Sequence, residues 1–160
     1  MELSILKDFS HKLHLQNKSF GLYISEEVIM EKYIKTSMAA VNLIKDNETT
    51  CVDLGSGWGI PGVVISIMMK DIKPFNITLY DVNKKKCDFL NKCKQNYKLN
   101  IDVKNKNIFD EKNLETDLII CKEFLPLDDV KKIAKNNFSK FKKILFCLKG
   151  KWIRWKLKFK

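Results

Sequence analysis

The chain has 160 residues, of which 45% are hydrophobic and 31% charged, and its formal net charge is +11. This length suits one domain, and the apolar content is high enough to build a core, which argues against intrinsic disorder. The longest apolar run, residues 60–69, is about half of the ~20 residues that a membrane-spanning helix needs. The first four residues lack the basic-then-apolar pattern of a signal peptide. We therefore expect a folded cytoplasmic protein with no membrane partner.

The positive charge is concentrated at the C-terminal end. Residues 130–160 contain 12 basic and no acidic side chains, whereas residues 1–129 contain 18 basic and 19 acidic ones. A concentrated positive segment is typical of proteins that bind RNA, DNA or acidic lipid, because neutralising phosphates releases counterions. All but one of the 30 basic residues are Lys, a bias that drift toward A/T-rich codons also produces. A functional basic face and compositional drift both stay open.

The cysteines and histidines form no recognisable metal or redox motif. The five cysteines are widely spaced without a C-x-x-C pair, so we expect buried, reduced thiols. They are Cys51, Cys87, Cys93, Cys121 and Cys147. His11 and His14 can share a helix face, but no third ligand lies nearby in the sequence. We expect no metal site.

The first 47 residues are predicted to be helical. Residues 3–15 have the periodicity of a short helix, and a stronger helix begins at Ser25. There Ser25 and Val28 supply half of a capping box, and Glu26 and Glu27 favour the first turn through the helix dipole. An apolar stripe follows at helical spacing: Val28, Ile29, Tyr33, Ile34, Met38, Val41 and Ile44.

From residue 50 onward, strands and helices are predicted to alternate. Five β-prone runs occupy residues 50–54, 77–80, 101–103, 117–121 and 143–148, and helical patterns occupy residues 61–70, 84–97 and 128–138. This alternation predicts an α/β doubly wound fold, with a mostly parallel sheet covered by helices on both faces. Residues 152–160 alternate apolar and basic side chains from Trp155 onward, which predicts an edge strand.

The most specific local feature is the glycine-rich loop at residues 53–62, between the first strand and its helix. Glycines let the backbone turn sharply and approach a ligand closely, and the N-terminus of the following helix offers free N–H groups. A nucleotide-like ligand is expected at the carboxyl ends of the strands. Asp81 ends the second strand, where a carboxylate can bind ribose hydroxyls.

Two glycine patterns overlap in this loop. Gly57-x-Gly59-x-x-Gly62 matches the dinucleotide fingerprint, whereas Asp53-x-Gly55-x-Gly57-x-Gly59 matches the S-adenosylmethionine (SAM) loop of Rossmann-like methyltransferases. A dinucleotide site places its first glycine directly after the strand, and only the pattern that begins at Gly55 does so. That pattern also lets Asp53 order the loop and reach the amino-acid end of SAM. A methyltransferase is favoured, with a dinucleotide enzyme or a purely structural turn as alternatives.

In order and spacing, four segments resemble methyltransferase G of 16S ribosomal RNA, the RsmG family, also called glucose-inhibited division protein B. They are residues 53–67, 79–90, 117–124 and 148–150. Gly-Ile-Pro-Gly in the loop and the closing Leu-Lys-Gly are more distinctive than the glycine spacing. The resemblance, which covers about residues 28–150, implies a Rossmann-like SAM-dependent enzyme that methylates N7 of a guanine in 16S ribosomal RNA. Its partner would be this RNA or the small ribosomal subunit, and the protein would act as a monomer.

The resemblance also implies a domain plan and a set of cofactor contacts. Residues 1–160 form one methyltransferase domain, with a helical region at 1–47, a SAM-binding core at 48–150 and a basic, aromatic tail at 151–160. The implied cofactor-binding residues are Gly55, Gly57, Ile60, Asp81, Ile108, Phe109 and Lys122. No catalytic residue is named, because the lone pair of guanine N7 can attack a sulfonium methyl group without first losing a proton.

The chain departs from the family pattern at three positions and at its C-terminal end. The family tends to have His at Tyr33, Asp at Thr36 and Arg at Lys122. Its members continue beyond Leu-Lys-Gly with a helix and a hairpin that complete a seven-stranded sheet, so we expect a shorter sheet here. These departures keep open a degenerate RNA-binding protein that retains only the fold. A nicotinamide-dependent oxidoreductase stays open on glycine spacing alone.

Two features have competing interpretations. Lys122 is a candidate to lie near the base or phosphate of the substrate, or else a solvated lysine after a strand. In the tail, Trp152 and Trp155 are candidates to stack on RNA bases. The alternative is an edge strand whose aromatic rings pack on the sheet while lysines discourage edge pairing. Membrane binding by the tail is a third possibility, which the strand-like alternation disfavours.

Overall fold

The computed structural model describes residues 2–19 and 23–156. Its first helix, α1, covers Glu2–Ser19 and is longer than predicted. A continuous helical segment, residues 26–43, follows and changes geometry along its length: α2 at Glu26–Val28, a π-helix at Ile29–Ile34, α3 at Lys35–Ala39 and a 3₁₀-helix at Ala40–Leu43. The predicted half capping box is confirmed, because the Ser25 hydroxyl accepts a hydrogen bond of 3.2 Å from the Val28 N–H.

The predicted apolar stripe is wrong at its first residue, Val28, which lies just before the π-helix. Val28 is 42% exposed, whereas Ile29 and Ile34 are buried. A π-helix hydrogen-bonds residues five apart, so its wider turn directs Ile29 and Ile34 toward the core together. Tyr33 is half-buried beside them.

The rest of the chain alternates as predicted, apart from one small strand pair. The strands are β1 (Thr50–Leu54), β2 (Asn76–Tyr80), β3 (Ile101–Lys104), β4 (Leu114–Glu115), β5 (Leu118–Lys122), β6 (Phe138–Lys140), β7 (Lys143–Leu148) and β8 (Lys151–Trp155). The helices are α4 (Gly62–Met69), α5 (Lys84–Tyr97) and α6 (Leu127–Asn137), with a 3₁₀ turn at Ile108–Asp110. The helix predicted at residues 128–138 corresponds to α6 and ends one residue early, because Phe138 is extended, buried and part of β6.

The main sheet has the strand order β3-β2-β1-β5-β7-β8. The five predicted strands are parallel, and β8 pairs antiparallel with β7 at the edge. The predicted edge strand is therefore confirmed over Lys151–Trp155, whereas residues 157–160 of that pattern lie outside the described residues. The sequence did not predict the separate two-stranded pair of β4 and β6. Because β1 lies between β2 and β5, the strand order reverses there, which is where such sheets bind ligands.

Apolar side chains fill both faces of the sheet, as the alternation along β1 shows. Cys51 packs into one buried cluster with α1, α4 and α5, and its neighbour Val52 packs into a second cluster with α6. All five cysteines are buried and free, as expected. Within the described ranges, no helix combines the length and the apolar character needed to cross a membrane.

Two side chains of the C-terminal strands, Lys143 and Trp152, contact the helical segment 26–43. The Lys143 ammonium donates to the Glu48 carboxylate at 2.9 Å and to the Leu43 carbonyl at 2.5 Å, and its side chain is 1% exposed. The indole N–H of Trp152, on β8, donates to the Thr36 carbonyl at 2.7 Å. A buried ion pair that loses one partner leaves an uncompensated charge, so the loss of Lys143 or Glu48 alone should be strongly destabilising.

Candidate active site

The glycine-rich loop between β1 and α4 is fixed to the end of β2 by its own backbone. Ser56 donates its N–H to the Tyr80 carbonyl at 2.9 Å and its hydroxyl to the Asp53 carbonyl at 3.0 Å. Gly55, Gly57 and Gly59 have φ angles of 66°, 55° and 94°, a region that favours glycine. The loop is therefore rigid and depends on its glycines.

Asp53 supports the loop from beneath. Its Oδ2 accepts a hydrogen bond of 3.1 Å from the Gly62 N–H at the start of α4. A Cβ at Gly62 would lie 2.5 Å from this oxygen, so only glycine fits there. Burial raises the pKa of Asp53 to about 7, and its Oδ1 is buried without a partner among the described residues. The contact with Gly62 agrees with the predicted role of Asp53 in ordering the loop, and Asp53 lines neither of the cavities described below, so its reach toward SAM stays a prediction.

The Asp81 carboxylate is held at the end of β2 by two backbone donors. Its Oδ2 accepts from the Gly57 N–H and its Oδ1 from the Asn83 N–H, both at 2.8 Å. Each carboxylate oxygen keeps lone-pair capacity for another donor. Asp81 is thus oriented to accept hydrogen bonds from a diol such as ribose.

A first cavity of about 600 Å³ lies in front of Asp81. It is lined by Gly55, Gly57, Tyr80, Asp81, Val82, Asn83, Lys86, Lys106, Asn107, Ile108, Phe109, Glu123 and Phe124. Five of the seven predicted cofactor residues therefore surround one space. Within it Ile108 is buried, whereas Phe109 is 52% exposed.

Asn137, which no sequence motif singles out, holds the wall of the first cavity in place. Its buried side-chain amide donates to the carbonyls of Ile108 at 3.0 Å and Glu111 at 2.7 Å. On the other side of the turn, the Asn107 side chain accepts from the Phe109 N–H at 3.1 Å. The only sequence signal was a polar residue on the apolar face of α6, which is too common a pattern to predict a clamp.

A second cavity of about 330 Å³ borders the same glycine loop and is also lined by residues of the N-terminal helices. It is lined by Leu13, Asn17, Ile24, Ile29, Tyr33, Gly55, Ser56, Gly57, Trp58, Ile60, Lys86, Lys122 and Glu123. The two cavities share Gly55, Gly57, Lys86 and Glu123. The remaining predicted residues, Ile60 and Lys122, line only the second cavity.

Lys122 is enclosed in the second cavity, so the interpretation as a solvated lysine is wrong. Its side chain is 6% exposed, and its ammonium lies 4.6 Å from the centre of the Tyr33 ring. That distance is within the range of a cation–π interaction. The Glu123 carboxylate lies 3.8 Å away.

The basic C-terminal segment is partly neutralised in space. Lys142 pairs with Asp117 at 2.8 Å, and Lys143 pairs with Glu48. The Trp155 ring stacks on Phe141, with 6.4 Å between ring centres. Together with the hydrogen bond from Trp152 to helical segment 26–43, this contact favours the edge-strand interpretation over stacking on RNA.

The two histidines are engaged in local contacts. His11 Nδ1 lies 2.7 Å from Glu26 Oε1, and His14 Nδ1 lies 2.7 Å from the Ile24 carbonyl. In the part of the chain that the structure describes, no three His, Cys, Asp or Glu side chains are close enough to hold a metal ion.

Solved structures of several methyltransferases share the Rossmann-like α/β fold of this chain. A proposed SAM-dependent methyltransferase from Methanococcus maripaludis matches with a TM-score of 0.59 and 16% identity, over 88% of this chain and 62% of that one. Coclaurine N-methyltransferase bound to S-adenosylhomocysteine matches with a TM-score of 0.55 and 18% identity, over 69% of this chain and 35% of that one. At these identities the likeness shows the fold.

The sequence then identifies the family. The profile of the rRNA small subunit methyltransferase G family (GidB) matches residues 2–159, and the chain belongs to that family. A relative of this name from Pelagibacter ubique is 31% identical over 89% of the chain, and one from Rickettsia africae is 30% identical over 91%. The chain spans 66% and 73% of the lengths of these two relatives. Of the two overlapping glycine patterns, family membership therefore supports the methyltransferase pattern over the dinucleotide fingerprint.

Proposed function

We propose that the protein transfers a methyl group from SAM to N7 of a guanine in 16S ribosomal RNA. The observation that carries this proposal is the pair of cavities joined at Gly55 and Gly57, in a chain of the methyltransferase G family. One cavity suits a nucleoside, and the other, which shares the glycine loop with it, leaves space for an acceptor base.

The residues of the first cavity fit SAM. A Cβ at Gly57 would meet only the Gly55 carbonyl oxygen, at 3.9 Å, so the absent side chain leaves room for a ligand to approach the backbone. Asp81 would accept hydrogen bonds from the ribose hydroxyls, and the turn at Ile108 and Phe109 would contact the adenine. When bound, SAM supplies a methyl group made electrophilic by its attachment to a sulfonium sulfur.

The transfer needs positioning more than acid–base chemistry. The N7 lone pair forms the new N–CH₃ bond as the S–CH₃ bond breaks, and the electrons of that bond stay on sulfur. The positive charge passes from sulfur to the guanine, and no proton moves. The protein therefore needs to align the two reactants and exclude water, which can supply a large share of the rate acceleration. For this reason no general base is assigned.

A methylation assay tests the proposal. Small ribosomal subunits that lack the N7 methyl group are incubated with the protein and radiolabelled SAM. We expect one labelled guanosine, which mass spectrometry of the digested 16S RNA then maps. Gly55→Asp serves as the inactive control, because a Cβ at Gly55 would overlap the Phe124 ring; circular dichroism checks its fold.

Two other outcomes of this assay correspond to the competing hypotheses. Labelling no greater than that of Gly55→Asp, together with retained binding to the subunits, would identify a degenerate RNA-binding protein. Calorimetry with SAM and with NAD tests the cofactor: binding of NAD without SAM would contradict the proposal. We also propose that the protein acts as a monomer on the small subunit, in the cytoplasm, where ribosomal RNA is its substrate.

A further inference from the structure

Lys122 is an enclosed cation whose hydrogen-bonding capacity is not used by its charged neighbour. An ammonium has three N–H donors and no acceptor. Among the described carboxylates, Glu123 is its ion-pair partner, and the N–O distance of 3.8 Å is beyond hydrogen-bonding range. The Tyr33 ring, 4.6 Å away, provides electrostatic attraction without a lone pair. A ligand with an acceptor atom would satisfy a donor that is otherwise costly to enclose.

The position of Lys122 favours the acceptor base as that ligand. Asp81 places the nucleoside part of the cofactor in the first cavity, which Lys122 does not line. The two cavities meet at Gly55 and Gly57, so the reacting centre belongs at this junction. Lys122 lines the cavity beyond the junction, together with Tyr33 and Trp58. A base that enters the second cavity comes close to the Lys122 ammonium.

We propose that Lys122 selects guanine by donating a hydrogen bond to its O6. The inference rests on the proposed function and assigns the residue that reads the substrate base. Guanine presents two adjacent acceptors, N7 and O6, on one edge, whereas adenine presents N7 beside an amino donor. When N7 points at the reacting centre, the neighbouring group faces Lys122. The Lys122 ammonium donates a hydrogen bond to O6 there, whereas the amino group of adenine offers it no acceptor.

Tyr33 acts as a positioning residue for Lys122. The π-helix Ile29–Ile34 carries Tyr33 over the glycine loop, where its ring attracts the ammonium. π-helical turns occur frequently at functional sites. Glu123 offsets part of the lysine charge, which matters because the guanine becomes cationic as the methyl group arrives.

The test is a double-mutant cycle between Lys122 and O6. Subunits are reconstituted with 16S RNA that carries, at the mapped guanosine, either guanosine or 2-aminopurine riboside, which keeps N7 and lacks O6. The kcat/KM of methylation is measured for the wild type, Lys122→Met and Lys135→Met. Lys135→Met removes the same charge from an exposed position in the last turn of α6.

For the wild type and Lys135→Met, we expect kcat/KM to be about tenfold or more lower with 2-aminopurine than with guanosine. This is the effect expected from the loss of a hydrogen bond to a charged group. For Lys122→Met, kcat/KM with 2-aminopurine should be less than about threefold lower than with guanosine. Its affinity for SAM, measured by calorimetry, should be unchanged. Lys122→Arg keeps donors at this position and should retain discrimination. Tyr33→Phe keeps the aromatic ring over Lys122 and should retain discrimination, whereas Tyr33→Leu removes the ring and should weaken discrimination.

Specific results would overturn the inference. If Lys122→Met discriminates between guanosine and 2-aminopurine as strongly as the wild type does, Lys122 does not contact O6. A tenfold loss of SAM affinity in Lys122→Met would assign the residue to the cofactor instead. If Lys122→Met does not fold, loss of discrimination in a folded Lys122→Arg counts against the proposal. If the wild type labels no subunits that carry guanosine, the proposed function and the inference both fail. If it labels them but discrimination does not depend on Lys122, only the inference fails.

Discussion

The two cavities differ in how their walls are fixed. In the first, backbone N–H groups hold Asp81 and a buried amide holds the turn at Ile108. In the second, the N-terminal helices supply apolar side chains and Tyr33, and the walls meet through side-chain packing. Two of the three family departures, Tyr33 and Lys122, line the second cavity. The first cavity, proposed for the cofactor, is therefore held by backbone groups and a buried amide, whereas the second, proposed for the acceptor base, depends on packed side chains.

The largest expected effect comes from closing the junction of the two cavities with Gly57→Val. The branched side chain would enter the space that both cavities share, at a φ of 55° that Val rarely adopts. We expect SAM affinity to fall by more than about a hundredfold, as calorimetry would measure, and methylation to cease.

Gly150→Ala is the matched control for this substitution. Gly150 also has a positive φ, of 77°, but no atom lies within 4 Å of an added Cβ. It should lose about 1 kcal/mol of stability from backbone strain and keep its SAM affinity. Loss of SAM binding in both variants would show that strain, and not occupation of the junction, is responsible.

The second expected effect concerns the support beneath the junction and depends on pH. Because burial raises the pKa of Asp53 to about 7, the folded protein keeps a proton there that the unfolded chain has released. The free energy of unfolding therefore falls as pH rises from about 4 to about 7, by up to about 1.4 kcal/mol per pH unit. Asp53→Asn removes this contribution, and its amide oxygen can still accept from Gly62. Urea unfolding at pH 5 and pH 8 should show a smaller loss of stability in the variant.

Asp46→Asn provides the control for the change of charge, because Asp46 is exposed. Its stability should change with pH as that of the wild type does. If Asp53→Asn loses as much free energy of unfolding between pH 5 and pH 8 as the wild type does, Asp53 is not the group whose titration causes the loss.

The sequence predicted several residues that surround the first cavity, for a physical reason. Positive φ angles and a strand-terminal carboxylate require particular residue types, so Gly55, Gly57 and Asp81 are recognisable in a single sequence. Ile108 and Phe109 came from the family resemblance and also line the first cavity. Whether each of these residues contacts SAM stays a prediction.

The remaining features depend on contacts that no local pattern records. Ile60 and Lys122 were grouped with the cofactor residues but line the second cavity, because their positions depend on how the N-terminal helices pack. Asn137 lies 29 residues from the carbonyl of Ile108 that it binds. The π-helix and the pair of β4 and β6 likewise arise from tertiary packing, which can override local propensity.

A third substitution is expected to loosen the wall of the first cavity and to leave the second cavity unchanged. Asn137→Ala removes the donor that fixes the carbonyls of Ile108 and Glu111 and leaves them buried and less satisfied. We expect a loss of about 1–3 kcal/mol in the free energy of unfolding. The affinity for SAM should fall several-fold, because the adenine side of the cavity loosens. Asn136→Ala, at an exposed neighbouring position, should change neither quantity. Undiminished SAM affinity in Asn137→Ala would separate the turn at Ile108 from the cofactor site.

The smallest expected effect lies on the acceptor side and completes the contrast. Trp152→Phe keeps an aromatic ring on β8 but removes the hydrogen bond to the Thr36 carbonyl, one turn of helix from Tyr33. The loss should be about 1 kcal/mol of stability. Because the helical segment 26–43 walls the second cavity, KM for ribosomal subunits should rise while SAM affinity stays constant. The opposite pattern, weaker SAM binding with an unchanged KM for subunits, would show that the helices position the cofactor and that the two cavities are not separable.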